Sequence, residues 1–143
     1  MDKRQRQKTI LLVEDDPDHA ELALLAQEKH GFAQGVVVAR DGAEALDYLL
    51  REDLPNFVLL DLKLPKISGL EVLRCIREDE RTRLLPVIVL SSSDEEKDIL
   101  RTYELGVNSY ILKPTDFSEF TEAARQVGVY WLTLNQVPRN KSA

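Results

Sequence analysis

The sequence predicts an α/β fold in which five strands alternate with five helices around one parallel sheet. Short, unbroken apolar runs recur along the chain, and each is followed by a helix-capping residue and a segment of helical period. Unbroken apolar runs fit strands that are buried on both faces, as parallel strands are. Alternation with short connections favours a doubly wound sheet with right-handed crossovers and the strand order 2-1-3-4-5.

The third apolar run illustrates how the strands are recognised. Phe57–Leu60 leads directly into Asp61 and is closed by Pro65, and an apolar run bounded by turn residues is typical of a buried strand. The predicted strands, in chain order, are Thr9–Val13, Val36–Ala39, Phe57–Leu60, Val87–Leu90 and Ser109–Leu112.

A capping residue marks the start of each predicted helix. Asp41 and Ser68 each precede a glutamate by three residues, which is the spacing of a capping box, and Pro17 suits a first helical position. The last helix carries apolar residues at helical spacing from Phe117 through Trp131 to Leu134. The predicted caps are Asp16, Asp41, Ser68, Ser93 and Asp116, and the predicted stops are Gly31, Pro55 and Gly106.

Composition and charge exclude several classes of protein. The net charge of −6 argues against a general binder of nucleic acid or of membrane surfaces, since both need a basic face. No apolar run approaches the roughly 20 residues that cross a bilayer. Residues 1–8 lack the apolar stretch of a secretory signal, and a single cysteine, Cys75, agrees with a reducing compartment, so we expect a cytoplasmic protein. We expect one domain at residues 9–134 between flexible tails at 1–8 and 135–143.

Polar side chains follow four of the predicted strands. Glu14 and Asp15 follow the first strand and Asp61 the third, and these strands are neighbours at the switch point of the topology, where α/β proteins bind ligands. Clustered carboxylates repel one another unless a cation compensates, and oxygen ligands favour magnesium. Ser91 and Lys113 end the fourth and fifth strands, where a hydroxyl and an ammonium suit a phosphoryl group. A carboxylate in such a site can itself be the nucleophile.

These segments resemble the receiver domain of response regulators, the phospho-accepting half of two-component signalling. The resemblance extends over residues 9–134 and implies a (βα)5 flavodoxin-like receiver fold whose Asp61 is phosphorylated by a sensor histidine kinase. The matching segments are Ile10–Asp16, Leu59–Pro65 with Gly69, Pro86–Ser92 and Tyr110–Pro114.

The resemblance implies how magnesium would be held. Asp15 and Asp61 would bind the ion directly and Glu14 through water, and the backbone carbonyl of Lys63 would be a further ligand. The side chain of Lys63 is a departure from the family, which often has asparagine at this position.

The resemblance also implies a phosphoryl site and a switch. Ser91 would turn toward the phosphoryl group, Lys113 would pair with it, and Tyr110 would be the aromatic switch. The Lys113–Pro114 bond is expected to be cis, as in similar receivers, so that the lysine points back over the crevice. Thr115 departs from the family, since many receivers place a bulky apolar residue there.

Softer motifs resemble the single-domain regulators that are paired with bacterial phytochromes. They are Asp98–Arg101, Gly106–Tyr110 and Trp131–Thr133, and they imply a bacteriophytochrome as the kinase. We expect no output domain, so that the signal passes to an unknown downstream protein by direct contact. We also expect a homodimer through the face of helix 4, strand 5 and helix 5, because Val129–Leu132 carries more apolar side chains than one core face can bury.

Two other functions stay open. One is a magnesium-dependent phosphohydrolase that acts through an aspartyl phosphate, although the sequence offers no second acid near Asp61 as a proton donor. The other is a flavin-binding protein of the same topology, in which Glu14–Asp16 would repel the flavin phosphate. We expect a signalling protein and not an enzyme, apart from assistance to its own phosphorylation and dephosphorylation.

Overall fold

The computed structural model describes residues 8–28, 35–51 and 53–138, and within them strands and helices alternate. The strands are β1 (Ile10–Val13), β2 (Val36–Ala39), β3 (Phe57–Leu60), β4 (Val87–Ser91) and β5 (Ser109–Leu112). The helices are α1 (Pro17–Glu28), α2 (Gly42–Arg51), α3 (Gly69–Glu78), α4 (Glu96–Glu104) and α5 (Phe117–Val129), and α5 continues into a π-helical turn at Tyr130–Leu134.

The five strands form one parallel sheet in the order β2-β1-β3-β4-β5, which confirms the predicted fold class. The backbone ladder continues one residue past β1 and β3, where Glu14 N donates to Ala39 O and Asp61 N donates to Val13 O, both at 3.0 Å. These bonds hold the backbone of both acids at the same edge of the sheet.

Two apolar layers cover the two faces of the sheet. Leu11 and Leu60 belong to the layer under α2 and α3, whereas Leu12 and Leu59 belong to the layer under α1 and α5. Because successive side chains of a strand point to opposite faces, a strand covered on both sides must be apolar at every position. All four residues of β3 are buried, which explains its unbroken apolar run.

Four of the five predicted caps bond as expected. The side chains of Asp16, Asp41, Ser68 and Asp116 accept from a backbone N–H two or three residues later, at 2.8–3.2 Å. Ser93 was the wrong cap for α4, because that helix begins after Glu95. The Ser93 hydroxyl instead accepts from Glu95 N and donates to Asp98 Oδ2 at 2.6 Å. The predicted stop at Gly31 lies outside the described residues.

The π-helical turn changes which apolar residues of the last helix reach the core. Asn135 N donates to Tyr130 O at 2.8 Å, and this i→i+5 bond takes up one more residue than an α-helical turn does. Leu132 is therefore buried, whereas Leu134 is 66% exposed. Phe117, in the first turn, is 69% exposed. The predicted apolar face was thus wrong at both ends, whereas Phe120, Ala124 and Val127, which lie between them, are buried.

Little of the two predicted tails lies within the described residues. Lys8 is the one described residue of the N-terminal tail, and its Nζ donates to Leu132 O at 2.7 Å. Of the C-terminal tail, residues 135–138 are described. In the described ranges, no helix is long and apolar enough to cross a membrane.

Candidate functional site

Three carboxylates meet where β1 and β3 end. Glu14, Asp15 and Asp61 each present a carboxylate oxygen, and these atoms lie within 4.8 Å of one another. Glu14 is 4% exposed and Asp61 is 8% exposed, whereas Asp15 faces solvent. The topology thus brings together the acids that the sequence singled out, with Asp15 on the open side.

Lys113 supplies a cationic contact to these acids. Its Nζ donates to Glu14 Oε1 at 3.0 Å and lies 3.5 Å from Asp61 Oδ2. The predicted cis Lys113–Pro114 bond was wrong, since no peptide bond among the described residues is cis. A cis bond is not needed because Lys113 N donates to Ser91 O at 2.7 Å, which holds the residue beside β4 while its long side chain spans the crevice.

The protonation of Glu14 reflects the crowding of negative charge. Burial, together with the charge of Asp61, raises the pKa of Glu14 from 4.5 to about 7, although Lys113 acts in the opposite direction. The folded protein therefore binds more protons at Glu14 than the unfolded chain does between pH 4.5 and about 7. Its contribution to the free energy of unfolding consequently falls as the pH rises through that window.

The donor set fits a hard divalent cation. All three side-chain donors are carboxylate oxygens, which magnesium prefers, and a cation among them would favour the ionised form of Glu14. Lys63 N donates to Asp61 Oδ1 at 3.4 Å, so the backbone of the predicted carbonyl ligand borders the cluster. That ligand role stays a prediction.

The two predicted switch residues converge on the loop between β4 and α4. Ser91 is fully buried, and its Oγ accepts from Ser93 N at 3.1 Å. Tyr110 OH donates to Ser93 O at 2.7 Å. Ser93, interpreted from the sequence only as a cap, is therefore the residue through which both side chains contact this loop.

Sequence reasoning missed His19, which the structure places against Lys113. Its Nδ1 lies 3.0 Å from Lys113 Nζ. One sequence feature could have identified it. His19 stands three residues after the cap Asp16, which puts it in the first turn of α1 beside the end of β1. Both residues border a depression of about 250 Å³ that is lined by His19, Leu22, Ser92, Lys113, Pro114, Thr115, Phe117 and Phe120.

Sequence comparison relates most of the chain to known proteins. The family described as response regulator receiver domain matches residues 10–125. The probable methanogenesis regulatory protein FilR2 of Methanothrix harundinacea (strain 6Ac) is 44% identical over 134 residues, which cover 90% of this chain and 86% of FilR2. Response regulator Rcp1 of Synechocystis sp. (strain ATCC 27184 / PCC 6803 / Kazusa) is 32% identical over 143 residues, which cover 96% of this chain and 97% of Rcp1.

Solved structures match the fold as well. The phosphorylated cyanobacterial phytochrome response regulator RcpA superposes with a TM-score of 0.88 at 36% identity, covering 94% of this chain and all of RcpA. The Mn(2+)-bound form of Rcp1 gives a TM-score of 0.86 at 32% identity, and the match covers 92% of this chain and 99% of Rcp1. The bacteriophytochrome response regulator AtBRR gives a TM-score of 0.70 at 49% identity, and the match covers 92% of this chain and 99% of AtBRR. These alignments extend over both the sheet and the helices.

Proposed function

The chain belongs to the response-regulator receiver family, and from that premise we propose that Asp61 takes a phosphoryl group from a histidine kinase. The observation that carries this proposal is the environment of Asp61. Its carboxylate lies at the end of a buried strand, 3.5 Å from the Lys113 ammonium and beside two further acids. That arrangement presents a nucleophile together with an ammonium that can offset the charge of a phosphoryl group, and with acids that can hold a divalent cation beside it.

The transfer itself is a displacement at phosphorus. An Asp61 oxygen forms the new P–O bond as the P–N bond to the kinase histidine breaks, and the electron pair goes to the imidazole nitrogen, which is protonated from solvent. Lys113 contacts the phosphoryl oxygens and offsets their charge. A divalent cation held at Glu14, Asp15 and Asp61 would supply Lewis-acid stabilisation of the developing charge. The test is to treat the protein with acetyl phosphate and magnesium and to locate the modification by mass spectrometry. Modification of Asp61 is expected, and its absence would contradict the proposal.

We propose magnesium as the physiological ion, held directly by Asp15 and Asp61, through water by Glu14, and by the backbone carbonyl of Lys63. The support is the all-oxygen donor set and the Mn(2+) bound by the similar Rcp1. We predict that Asp15→Ala weakens magnesium binding at least about tenfold, a loss of about 1.4 kcal/mol, because the solvent-facing ligand is gone. Isothermal titration measures the affinity, and Glu21→Ala, which removes another exposed acid, is the matched control. Equal affinities of both variants would mean that the ion lies elsewhere.

We propose that the chain is a signalling protein and not an enzyme, although it assists its own phosphorylation and dephosphorylation. One observation favours the alternative, a phosphohydrolase, against the expectation that no second acid near Asp61 can donate a proton. Glu14 lies beside Asp61, and its pKa is raised to about 7, which suits a proton donor to a leaving group. A cation in the cluster opposes this role because it favours the ionised carboxylate. Steady release of p-nitrophenol from p-nitrophenyl phosphate, absent in Asp61→Asn, would favour the phosphohydrolase.

We propose a bacteriophytochrome-type histidine kinase in the cytoplasm as the phosphoryl donor. RcpA and AtBRR are described as phytochrome and bacteriophytochrome response regulators, and AtBRR is 49% identical to this chain. The signal would then pass to a downstream protein by direct contact. The net charge of −6 disfavours nucleic acid or a membrane surface as the target.

We propose that the protein forms homodimers through the face of α4, β5 and α5. β5 is an edge strand, and Leu100, Tyr103 and Leu112 are 61%, 49% and 49% exposed on α4 and β5. Ser91 and Tyr110 contact the loop that leads into α4, so a change at the acceptor site can reach this face. Trp131 is a poor site for a test, because it packs against the core beneath α1 and α5.

We predict that Leu100→Asp dissociates the dimer, since a charge would replace an apolar contact. Sedimentation velocity with and without acetyl phosphate measures the oligomeric state. Leu50→Asp is the matched control, because Leu50 is likewise exposed on a helix, at 70%, but belongs to α2. A dimer that survives Leu100→Asp would place the interface elsewhere, and a wild-type monomer in both conditions would rule out the dimer.

A further inference from the structure

The His19 ring is held in place on the side of the crevice formed by α1. It stacks on Phe120, with ring centroids 5.2 Å apart and an interplanar angle of 30°. Phe120 is a core residue and 3% exposed, so it offers the imidazole a fixed surface. The ring therefore directs Nδ1 at the crevice, where it lies 3.0 Å from Lys113 Nζ.

The chemistry of the two partners determines the direction of this hydrogen bond. A lysine ammonium has three N–H donors and no acceptor, so His19 Nδ1 must be the acceptor and the ring proton must be on Nε2. Three acceptors then surround Lys113 Nζ, which are Glu14 Oε1 and His19 Nδ1 at 3.0 Å and Asp61 Oδ2 at 3.5 Å. The ammonium is hydrogen-bonded to Glu14 and His19, whereas its ion pair with Asp61 is the longest of the three contacts.

We propose that His19 is a positioning residue for Lys113, an inference that rests on the proposed function. By accepting one hydrogen bond, His19 holds the ammonium between α1 and Glu14 and keeps it from closing onto Asp61. The Asp61 oxygens then stay available to attack phosphorus, while the ammonium is already beside the site of the incoming phosphoryl group. Without His19, the nearly buried ammonium of Lys113 would have an unpaired donor. That N–H would turn to Asp61 and compete with phosphorus for its carboxylate oxygens.

Two substitutions separate the acceptor of His19 from its ring. His19→Phe retains a ring that can stack on Phe120 but has no acceptor, whereas His19→Asn retains a side-chain oxygen as acceptor but has no ring. We expect His19→Phe to be phosphorylated by acetyl phosphate about tenfold more slowly than wild type, the size of effect expected for a lost hydrogen bond to a charge. His19→Asn should stay within about threefold, and Glu21→Gln, an exposed neighbour on α1, should equal wild type.

A spectroscopic measurement tests the hydrogen bond without any phosphorylation. In a long-range ¹H–¹⁵N spectrum of the unphosphorylated protein, His19 Nδ1 should be unprotonated and Nε2 protonated. Lys113→Met removes the donor, so the Nδ1 resonance should shift, whereas Glu21→Gln should leave it in place. A protonated Nδ1, or a resonance that does not respond to Lys113→Met, would overturn the proposal.

The outcomes distinguish this proposal from the proposed function. If wild type is not phosphorylated at Asp61, the proposed function fails, and the spectrum alone decides the role of His19. If wild type is phosphorylated and His19→Phe reacts at the same rate, His19 is not a positioning residue. A His19→Asn variant as slow as His19→Phe would assign the effect to packing of the ring and overturn the proposal. Circular dichroism checks that the variants fold. If His19→Phe does not fold, the long-range ¹H–¹⁵N spectrum tests the proposal in its place.

Discussion

Asp61→Asn is expected to abolish covalent phosphorylation by acetyl phosphate. The amide has no carboxylate oxygen to attack phosphorus, and asparagine fills nearly the same volume, so the fold should persist. The neighbouring acids should not replace Asp61. Glu14 is 4% exposed and its Oε1 is paired with Lys113 Nζ at 3.0 Å, so its carboxylate is poorly placed to attack phosphorus.

Mass spectrometry after acetyl phosphate treatment measures this outcome. Asp53→Asn is a suitable control, because Asp53 is exposed and outside the carboxylate cluster, and it should be modified like wild type. A phosphoryl group on Glu14, Asp15 or Asp16 of the Asp61→Asn variant would contradict Asp61 as the sole acceptor.

Gly69→Ala is expected to destabilise the loop that carries Asp61. A Cβ at Gly69 would lie 2.4 Å from Asp61 O and 2.5 Å from Leu62 Cα, so the backbone itself must move. Gly69 N also donates to Leu62 O at 2.9 Å, which ties the start of α3 to this loop. We expect a loss of about 2–3 kcal/mol in the free energy of unfolding, in the range of overpacked cores, and slower phosphorylation in the folded fraction.

Gly128→Ala is the matched comparison for Gly69→Ala. A Cβ there would meet Gln27 Oε1 and Cδ, which belong to a side chain that can adjust, so we expect a smaller loss and normal phosphorylation. Urea unfolding measures both free energies. Equal stability of Gly69→Ala and wild type would contradict the close packing of Gly69 against the backbone of the loop between β3 and α3.

The sequence was sufficient for the sheet and for the acid cluster, for physical reasons. Strands that are covered on both faces must be apolar throughout, so β1, β3 and β4 can be recognised in the sequence as unbroken apolar runs. Once the strand order follows from the alternation of elements, the residues that end β1 and β3 must meet. Glu14, Asp15 and Asp61 were therefore predictable together.

Other features depend on side-chain contacts that no local pattern reveals. Ser93 has the residue type of a cap, but its hydroxyl bonds Asp98, and α4 begins later. The π-helical turn alters the period of α5 without a sequence signal of its own, so Leu132 and not Leu134 is buried. The contact of His19 with Lys113 spans 94 residues and exists only after the sheet has formed.

Phosphotransfer from a kinase tests the central claim most directly. A bacteriophytochrome histidine kinase that has labelled its own histidine from γ-labelled ATP is mixed with the protein and magnesium, and the label is followed on both chains. We predict that the label leaves the kinase and appears on Asp61 of wild type, and that it stays on the kinase with Asp61→Asn. Transfer of the label to the Asp61→Asn variant, or modification of wild type at another residue, would contradict Asp61 as the phosphoryl acceptor.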